Sequence, residues 1–177
     1  MKLLIISDTH GNSAYVDQII TYLRETPINV TIHLGDDYQD AQPIIDAGFP
    51  VVRVPGTWTS EYQNPMIDNR RFDVFEGWRF FLTHTPDVHY NDLPEDSDPQ
   101  AVLDNQQVDI LCHGHTHRPE IVTQNGVVVL NPGHLKSPKD RGYWATFAEV
   151  DVTPTQLDIV IRDFDTRGVY TANRFKK

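Results

Sequence analysis

The first third of the chain alternates short apolar runs with one helical repeat. Residues 3–6 (LLII) form a run typical of a strand that is buried on both faces, and residues 16–23 then carry apolar side chains at the i, i+3, i+4, i+7 spacing of an amphipathic helix. Two more apolar runs follow at 30–34 and 51–54. Because strands separated by helices usually pair in parallel, this part of the chain predicts a parallel α/β arrangement.

The second half of the chain is richer in strand signals. Residues 71–75 and 78–82 flank Glu76-Gly77 as the arms of a hairpin, and Asn125-Gly126 is a strong two-residue turn signal. Two alternating segments, 143–152 and 156–163, continue the pattern. We therefore expect two sheets packed face to face with helices outside them, in a single domain over residues 1–177.

The charge of the chain excludes one broad class of function. Its 15 Lys and Arg residues stand against 25 Asp and Glu residues, which gives a formal net charge of −10. General electrostatic binding to nucleic acid or to anionic lipid is therefore not expected, and an anionic ligand would need positive charge supplied at its own site. The N-terminus has too short an apolar run for a signal peptide, and no segment is long enough to span a membrane, so we expect a cytoplasmic protein.

Polar side chains follow the ends of several predicted strands. Because ligands of α/β sheets bind outside the carboxyl ends of the strands, we expect these side chains to meet at one edge. Taken singly, most would be ordinary capping, turn or packing residues, and only the two histidines separated by one threonine stand out. Together they offer the mixed nitrogen and oxygen donors that a divalent transition metal prefers. The candidate ligands are Asp8, His10, Asp36, His84, His115 and His117.

The order of these motifs resembles the calcineurin-like metallophosphoesterases, most closely the small bacterial and archaeal phosphodiesterase branch. The resemblance extends from residue 3 to about residue 150 and rests on Ser7-Asp8-Thr9-His10-Gly11, Gly35-Asp36, Thr83-His84, Gly114-His115-Thr116-His117 and Asn131-Pro132-Gly133. It implies a four-layer α/β/β/α sandwich of two mixed sheets flanked by helices, with a dinuclear metal centre. By this resemblance Asp8, His10 and His117 would hold one metal, Asp36 would bridge, and His84 and His115 would hold the other.

The resemblance implies an enzyme that hydrolyses small phosphodiesters or phosphomonoesters with a metal-bound hydroxide. Two divalent ions would lower the pKa of water, bind phosphoryl oxygens and supply the positive charge that the chain lacks. We expect Mn²⁺ first, with Fe²⁺, Zn²⁺ or Ni²⁺ as alternatives. Asp36 would fix the separation of the ions, and His10 is the nearest proton donor to the leaving oxygen.

The segment PGTWTS at 55–60 departs from the family pattern. The family has Gly-Asn at this point, and the asparagine is a ligand of the second metal, whereas Thr57 occupies that position here. A threonine hydroxyl is shorter than an amide carbonyl and is a weaker donor to a metal. Asn64 is the nearest asparagine that follows, although its spacing does not favour it as a substitute.

The sequence leaves two other classes of function open. The eukaryotic retromer subunit that resembles this family uses the fold as a protein-binding platform, so a catalytically weak or inactive scaffold is one alternative. A metal-dependent hydrolase that acts on a bond other than a phosphate ester is the second. The aromatic residues of the β-rich C-terminal half would also suit an interface in a homo-oligomer.

Overall fold

The structure is a computed structural model that describes all residues from Met1 to Lys177. Strands dominate it, with three α-helices and two short 3₁₀ helices at Tyr38–Ala41 and Ser60–Gln63. In chain order the elements are β1 (Lys2–Ile6), α1 (Ser13–Glu25), β2 (Val30–His33), α2 (Gln42–Asp46), β3 (Val51–Arg53), β4 (Arg70–Phe75), β5 (Trp78–Thr83), α3 (Pro99–Asp104), β6 (Ile110–Cys112), β7 (Glu120–Gln124), β8 (Val127–Asn131), β9 (Lys139–Asp140), β10 (Tyr143–Trp144), β11 (Thr146–Thr153), β12 (Gln156–Asp163) and β13 (Val169–Lys176).

The strands form two large mixed sheets and a small two-stranded one. The first sheet has the order β13-β12-β11-β1-β2-β3, in which β1, β2 and β3 are parallel and the later strands are antiparallel. The second sheet has the order β4-β5-β6-β8-β7, with parallel strands at its centre and an antiparallel strand at each edge. Strands β9 and β10 pair only with each other.

The two large sheets pack face to face, and helices cover their outer faces. On β1, Leu3 and Ile5 point into the core between the sheets, while Leu4 and Ile6 join the cluster that α1 covers. This division follows from the period of two along a strand, which sends alternate side chains to opposite faces. A third cluster packs α3 against the outer face of the second sheet. The predicted four-layer α/β/β/α sandwich is therefore confirmed.

Both predicted hairpin turns are present. Glu76 and Gly77 have φ angles of 50° and 81°, and Asn125 and Gly126 have φ angles of 52° and 83°. Two consecutive residues with positive φ match the right-handed twist of the strands that they join. The long edge strand β13 was not predicted, since most of its side chains are exposed and its sequence has little hydrophobic alternation.

The start of α1 is tied to the loop that follows β8. Asn12 caps the helix by accepting from the backbone N–H of Tyr15 at 3.3 Å, and its side-chain amide donates to the carbonyl groups of Leu135 and Lys136 at 3.2 and 3.0 Å. This places the loop after β8 beside the carboxyl end of β1. None of the helices has the length and apolar composition that a membrane span requires.

Candidate metal centre

The six predicted ligands all follow strands that end at the same edge of the sandwich. Asp8 and His10 come after β1, Asp36 after β2, His84 directly after β5, and His115 and His117 after β6. All but His84 have a left-handed backbone, with φ angles of 54° at Asp8, 49° at His10, 29° at Asp36, 64° at His115 and 61° at His117. Such conformations are costly for residues other than glycine, and their concentration in one place is typical of a functional site.

Glycine lets the loops approach one another closely at this edge. A Cβ at Gly114 would lie 1.8 Å from Ser7 Oγ and 2.6 Å from Asp8 Oδ2. A Cβ at Gly56 would lie 2.1 Å from the carbonyl oxygen of Asp36. These two positions have no room for a side chain, so glycine there lets the loop after β6 contact Ser7 and the Asp8 carboxylate, and lets the loop after β3 contact the backbone of Asp36.

The first group of candidate ligands consists of Asp8, His10 and His117. One donor atom from each lies within 4.8 Å of the other two. The Nε2 atom of His117 is 3.2 Å from Asp8 Oδ1 and 3.1 Å from His10 Nε2. Asp8 Oδ1 is buried and has no hydrogen-bond partner, which is costly unless a cation fills the space between these atoms.

Hydrogen bonds fix which nitrogen atoms of these histidines can act as ligands. His10 Nδ1 lies 2.7 Å from Asp36 Oδ2, and His117 Nδ1 lies 2.6 Å from Asp140 Oδ2. Since a carboxylate can only accept, both Nδ1 atoms donate. In the neutral imidazoles two Nε2 lone pairs then face each other at 3.1 Å. Only a proton or a metal ion between them makes that arrangement favourable.

The second group consists of Asp8, Asp36 and His84, whose donor atoms also lie within 4.8 Å of one another. His84 Nδ1 donates to the carbonyl oxygen of Leu34 at 2.8 Å, which leaves its Nε2 free to bind a metal. That Nε2 is 3.3 Å from His115 Nδ1. His115 therefore reaches the second group through His84, and it belongs to neither of the two compact groups.

The pKa shifts of Asp8, Asp36 and His115 favour metal binding. Burial alone would raise the pKa of Asp8, but the nearby imidazoles of His117 and His84 outweigh burial and hold that pKa well below the usual range. For Asp36 the hydrogen bond with His10 likewise outweighs burial and lowers the pKa. Burial and the neighbouring His84 lower the pKa of His115, so this imidazole stays neutral. Ionised carboxylates and neutral imidazoles are the forms that bind metals.

Thr57 is buried next to the loop that holds Asp36. Its neighbour Gly56 donates a backbone hydrogen bond to the Asp36 carbonyl at 3.0 Å, and the Thr57 hydroxyl has no hydrogen-bond partner. Asn64 is exposed, and its side chain accepts from the backbone N–H of Met66 at 3.0 Å in a local turn. Of these two polar side chains, only that of Thr57 is both buried and free of partners.

Three charged residues that the sequence did not single out also contact this site. Asp140, on β9, contacts His117 and forms an ion pair with Lys136 at 3.1 Å. Asp40 accepts from the Thr9 hydroxyl at 2.6 Å and from the Gly11 backbone at 2.7 Å. Both lie in polar stretches that read as solvated surface, so only the folded topology reveals these contacts. Arg141 donates to the His115 carbonyl at 2.8 Å.

Comparison with known proteins places this chain in a family. Residues 1–154 match the model of the calcineurin-like phosphoesterase superfamily domain. A probable metallophosphoesterase of Mycoplasma pneumoniae is 24% identical over 159 residues, which cover 88% of this chain and 92% of the relative. The phosphodiesterase YfcE of Escherichia coli K12 is also 24% identical over 162 residues, which cover 78% of this chain and 82% of the relative.

The similarity to solved structures covers the whole fold. The crystal structure of a Vps29 single mutant from Entamoeba histolytica matches with a TM-score of 0.74 and 22% identity, over 100% of this chain and 99% of that one. Divalent metal ions are the cofactors that a metallophosphoesterase implies, and the donor set fits them. The chain belongs to the calcineurin-like phosphoesterase superfamily.

Proposed function

We propose that this protein is a metal-dependent phosphoesterase that hydrolyses small phosphodiesters or phosphomonoesters at a dinuclear centre. The observation that carries the proposal is the pair of Nε2 atoms of His10 and His117, which face each other at 3.1 Å beside the unpartnered Asp8 Oδ1. A cation bound between these atoms would satisfy all three acceptors. Membership of the family and the similarity to a phosphodiesterase support phosphate-ester hydrolysis as the reaction of this site.

The six candidate residues would divide between two ions. Asp8, His10 and His117 would hold one, and His84 and His115 would hold the other. Asp36 would bridge them, because it contacts His10 of the first group and lies within 4.8 Å of Asp8 and His84 in the second. Mn²⁺ is our first choice among the divalent ions, with Fe²⁺, Zn²⁺ and Ni²⁺ as alternatives that suit mixed nitrogen and oxygen donors.

When bound, two metal ions supply Lewis-acid charge for the phosphoryl oxygens and lower the pKa of water. The protein residues would orient the substrate and handle protons. His10 is the most exposed of the six residues, with 29% of its side chain accessible against 24% for Asp36, and its hydrogen bond with Asp36 raises its pKa. The role of proton donor to a leaving oxygen would fall to His10 only while its Nε2 is not bound to a metal, because Asp36 holds its Nδ1 proton. Asp36 would hold the His10 ring in position through the 2.7 Å contact.

The proposal is tested by hydrolysis assays on protein that has been stripped by a chelator and reloaded with each divalent ion. We expect hydrolysis of bis(4-nitrophenyl) phosphate or 4-nitrophenyl phosphate only after reloading, and its loss in Asp8→Asn but not in Asp17→Asn, an exposed position on α1. 4-Nitrophenyl acetate serves as a substrate without phosphorus. Hydrolysis of the acetate alone would favour a hydrolase of another class, and metal binding without any hydrolysis would favour a scaffold.

A catalytically weak scaffold is the second candidate function. Thr57 is the observation that favours it, because a family ligand position is occupied here by a hydroxyl group. The fold similarity to Vps29 is compatible with a role in binding protein partners. The other six ligand positions carry the residues that the family pattern requires, so we rank the enzyme above the scaffold as the proposed function.

Replacement of Thr57 by asparagine is expected to raise occupancy of the metal site formed by Asp36, His84 and His115. The amide offers a carbonyl donor, and changes of this kind alter metal affinity by about 10- to 100-fold. Titration with Mn²⁺, followed by metal analysis, measures the effect. Thr57→Val is the matched control, since it removes the buried hydroxyl and keeps the shape. If Thr57→Asn binds metal no better than Thr57→Val, the position lies outside the metal site.

Replacement of Asp140 by asparagine is expected to weaken metal binding at the site of His117. The carboxylate at 2.6 Å holds the Nδ1 proton of His117 and directs its Nε2 toward Asp8. Loss of such an outer partner typically costs about 10- to 100-fold in metal affinity. Competition with a metal-binding dye measures the affinity. Asp151→Asn, on the exposed face of β11, is the control. Unchanged affinity in Asp140→Asn would show that His117 needs no such support.

A further inference from the structure

Three aromatic rings, two of them exposed and one half-buried, form a surface patch, which we call the aromatic rim: Trp58, Tyr90 and His89. Trp58 is 70% exposed and Tyr90 is 76% exposed. The Trp58 ring packs edge-on near both partners, with centroid distances of 5.8 Å to His89 and 5.6 Å to Tyr90, and His89 lies 4.3 Å from Tyr90. Because large apolar surfaces are normally covered, such a cluster indicates a binding surface.

A partly buried polar network holds the two loops that carry the rim. The Asn91 side chain donates to the Thr57 carbonyl at 2.9 Å, which joins the loops directly. Asp92 accepts from the His89 backbone at 2.8 Å, from the Tyr62 hydroxyl at 2.6 Å, and from the buried Arg70 guanidinium at 2.8 Å. The loops that carry the rings are therefore held in place before a ligand binds, which reduces the conformational entropy that is lost on binding.

The rim borders the candidate metal centre. Trp58 directly follows Thr57, whose neighbour Gly56 bonds to Asp36. The His89 ring centroid is 6.4 Å from that of His115. The organic substituent of a phosphate ester bound at the centre could therefore contact the rim. No lysine or arginine belongs to the rim, so it would select its ligand by ring contact and not by charge.

We propose that the aromatic rim stacks against the planar ring of the phosphate ester bound at the metal centre, and that the substrates are nucleotide-type phosphoesters whose nucleobase supplies this ring. The inference rests on the proposed function and deepens it. Every nucleobase has a π face, so stacking on an exposed indole or phenol accepts different bases. The rim thus predicts a preference for nucleosides as a class over alkyl esters, with weak selection among bases.

The test compares two phosphodiesters with the same 4-nitrophenolate leaving group on the manganese-loaded protein. One carries thymidine at its 5′-oxygen and the other carries methyl. We expect kcat/KM to be about tenfold higher for the thymidine ester, which is the contribution of one base–aromatic stack. In Trp58→Ala the ratio between the two esters should fall toward one, and Trp58→Phe should retain most of it. Tyr170→Ala, an exposed ring on the edge strand β13, should keep the wild-type ratio.

A fluorescence titration with thymidine 5′-phosphate provides a readout that does not depend on turnover. We expect quenching of tryptophan emission in the wild-type protein and little quenching in Trp58→Phe, which lacks the indole at the rim. If the wild type hydrolyses neither ester but is quenched, the proposed function fails and the ring contact stands. If it hydrolyses both esters at similar rates, or if Trp58→Ala slows both equally, the rim does not recognise the base and the inference is overturned.

Discussion

Asparagine in place of Asp36 is expected to remove most of the bound metal and to lower phosphodiesterase activity by at least about 100-fold. Loss of an outer partner of a metal ligand already costs about 10- to 100-fold, and the proposed bridge serves both ions directly. Asp36 contacts His10 at 2.7 Å and has a carboxylate oxygen within 4.8 Å of donor atoms of Asp8 and His84, so both halves of the proposed centre would depend on it. Metal analysis after gel filtration and hydrolysis of bis(4-nitrophenyl) phosphate measure the two effects.

The neighbouring carboxylate provides a matched control. Asp37 is exposed, and Asp37→Asn changes the net charge by the same amount at the next position in the chain. We expect Asp37→Asn to keep both metal content and activity. If Asp36→Asn retained the metal content of the wild type, the proposed bridge would be wrong, and Asp8, which belongs to both compact groups, would be the next residue to test.

Replacement of Arg70 by methionine is expected to lower the free energy of unfolding by about 3–5 kcal/mol. The Arg70 side chain is only 2% exposed and pairs at 2.8 Å with Asp92, which is 14% exposed. Removing one partner of a buried ion pair leaves the other charge without compensation, which is the costly case. Urea unfolding at a fixed metal concentration measures the loss. Because Asp92 anchors the loop of His89, the same variant should also loosen the aromatic rim.

An exposed ion pair is the control for Arg70. Arg79 is 51% exposed and pairs with Asp109 at 2.8 Å, so Arg79→Met should cost no more than about 1 kcal/mol. In the double variant Arg70→Met/Asp92→Asn the unpaired charge is gone, and part of the lost stability should return. An Arg70→Met protein as stable as Arg79→Met would contradict the view that this network anchors the loops.

The sandwich and the meeting of the candidate ligands follow from local sequence patterns. The apolar run at residues 3–6 and the helical repeat that follows determine β1 and α1, and the two-residue turns determine their hairpins. Because β1 and β2 are parallel, their carboxyl ends share one edge, which brings Asp8 and Asp36 together. His84 follows β5 of the second sheet, so its place beside them depends on how the two sheets pack.

Other features depend on contacts that no local pattern encodes. Asp140 lies in a charged run typical of solvated surface, and it meets His117 only because the loop after β8 packs beside β1. The aromatic rim likewise joins Trp58 to residues about thirty positions later through the Asn91–Thr57 hydrogen bond. The edge strand β13 is mostly exposed, so it lacks the alternation that identifies a strand. In each case the signal lies in long-range packing.

The most direct test of the central claim is the position of metal ions in crystals of the manganese-loaded protein, measured by anomalous scattering. We predict two anomalous peaks per chain. One should lie among Asp8, His10 and His117, and the other should lie among Asp36, His84 and His115. The absence of any peak at this edge of the sandwich in crystals grown with excess Mn²⁺, or a single peak bound by other residues, would contradict the proposed dinuclear centre.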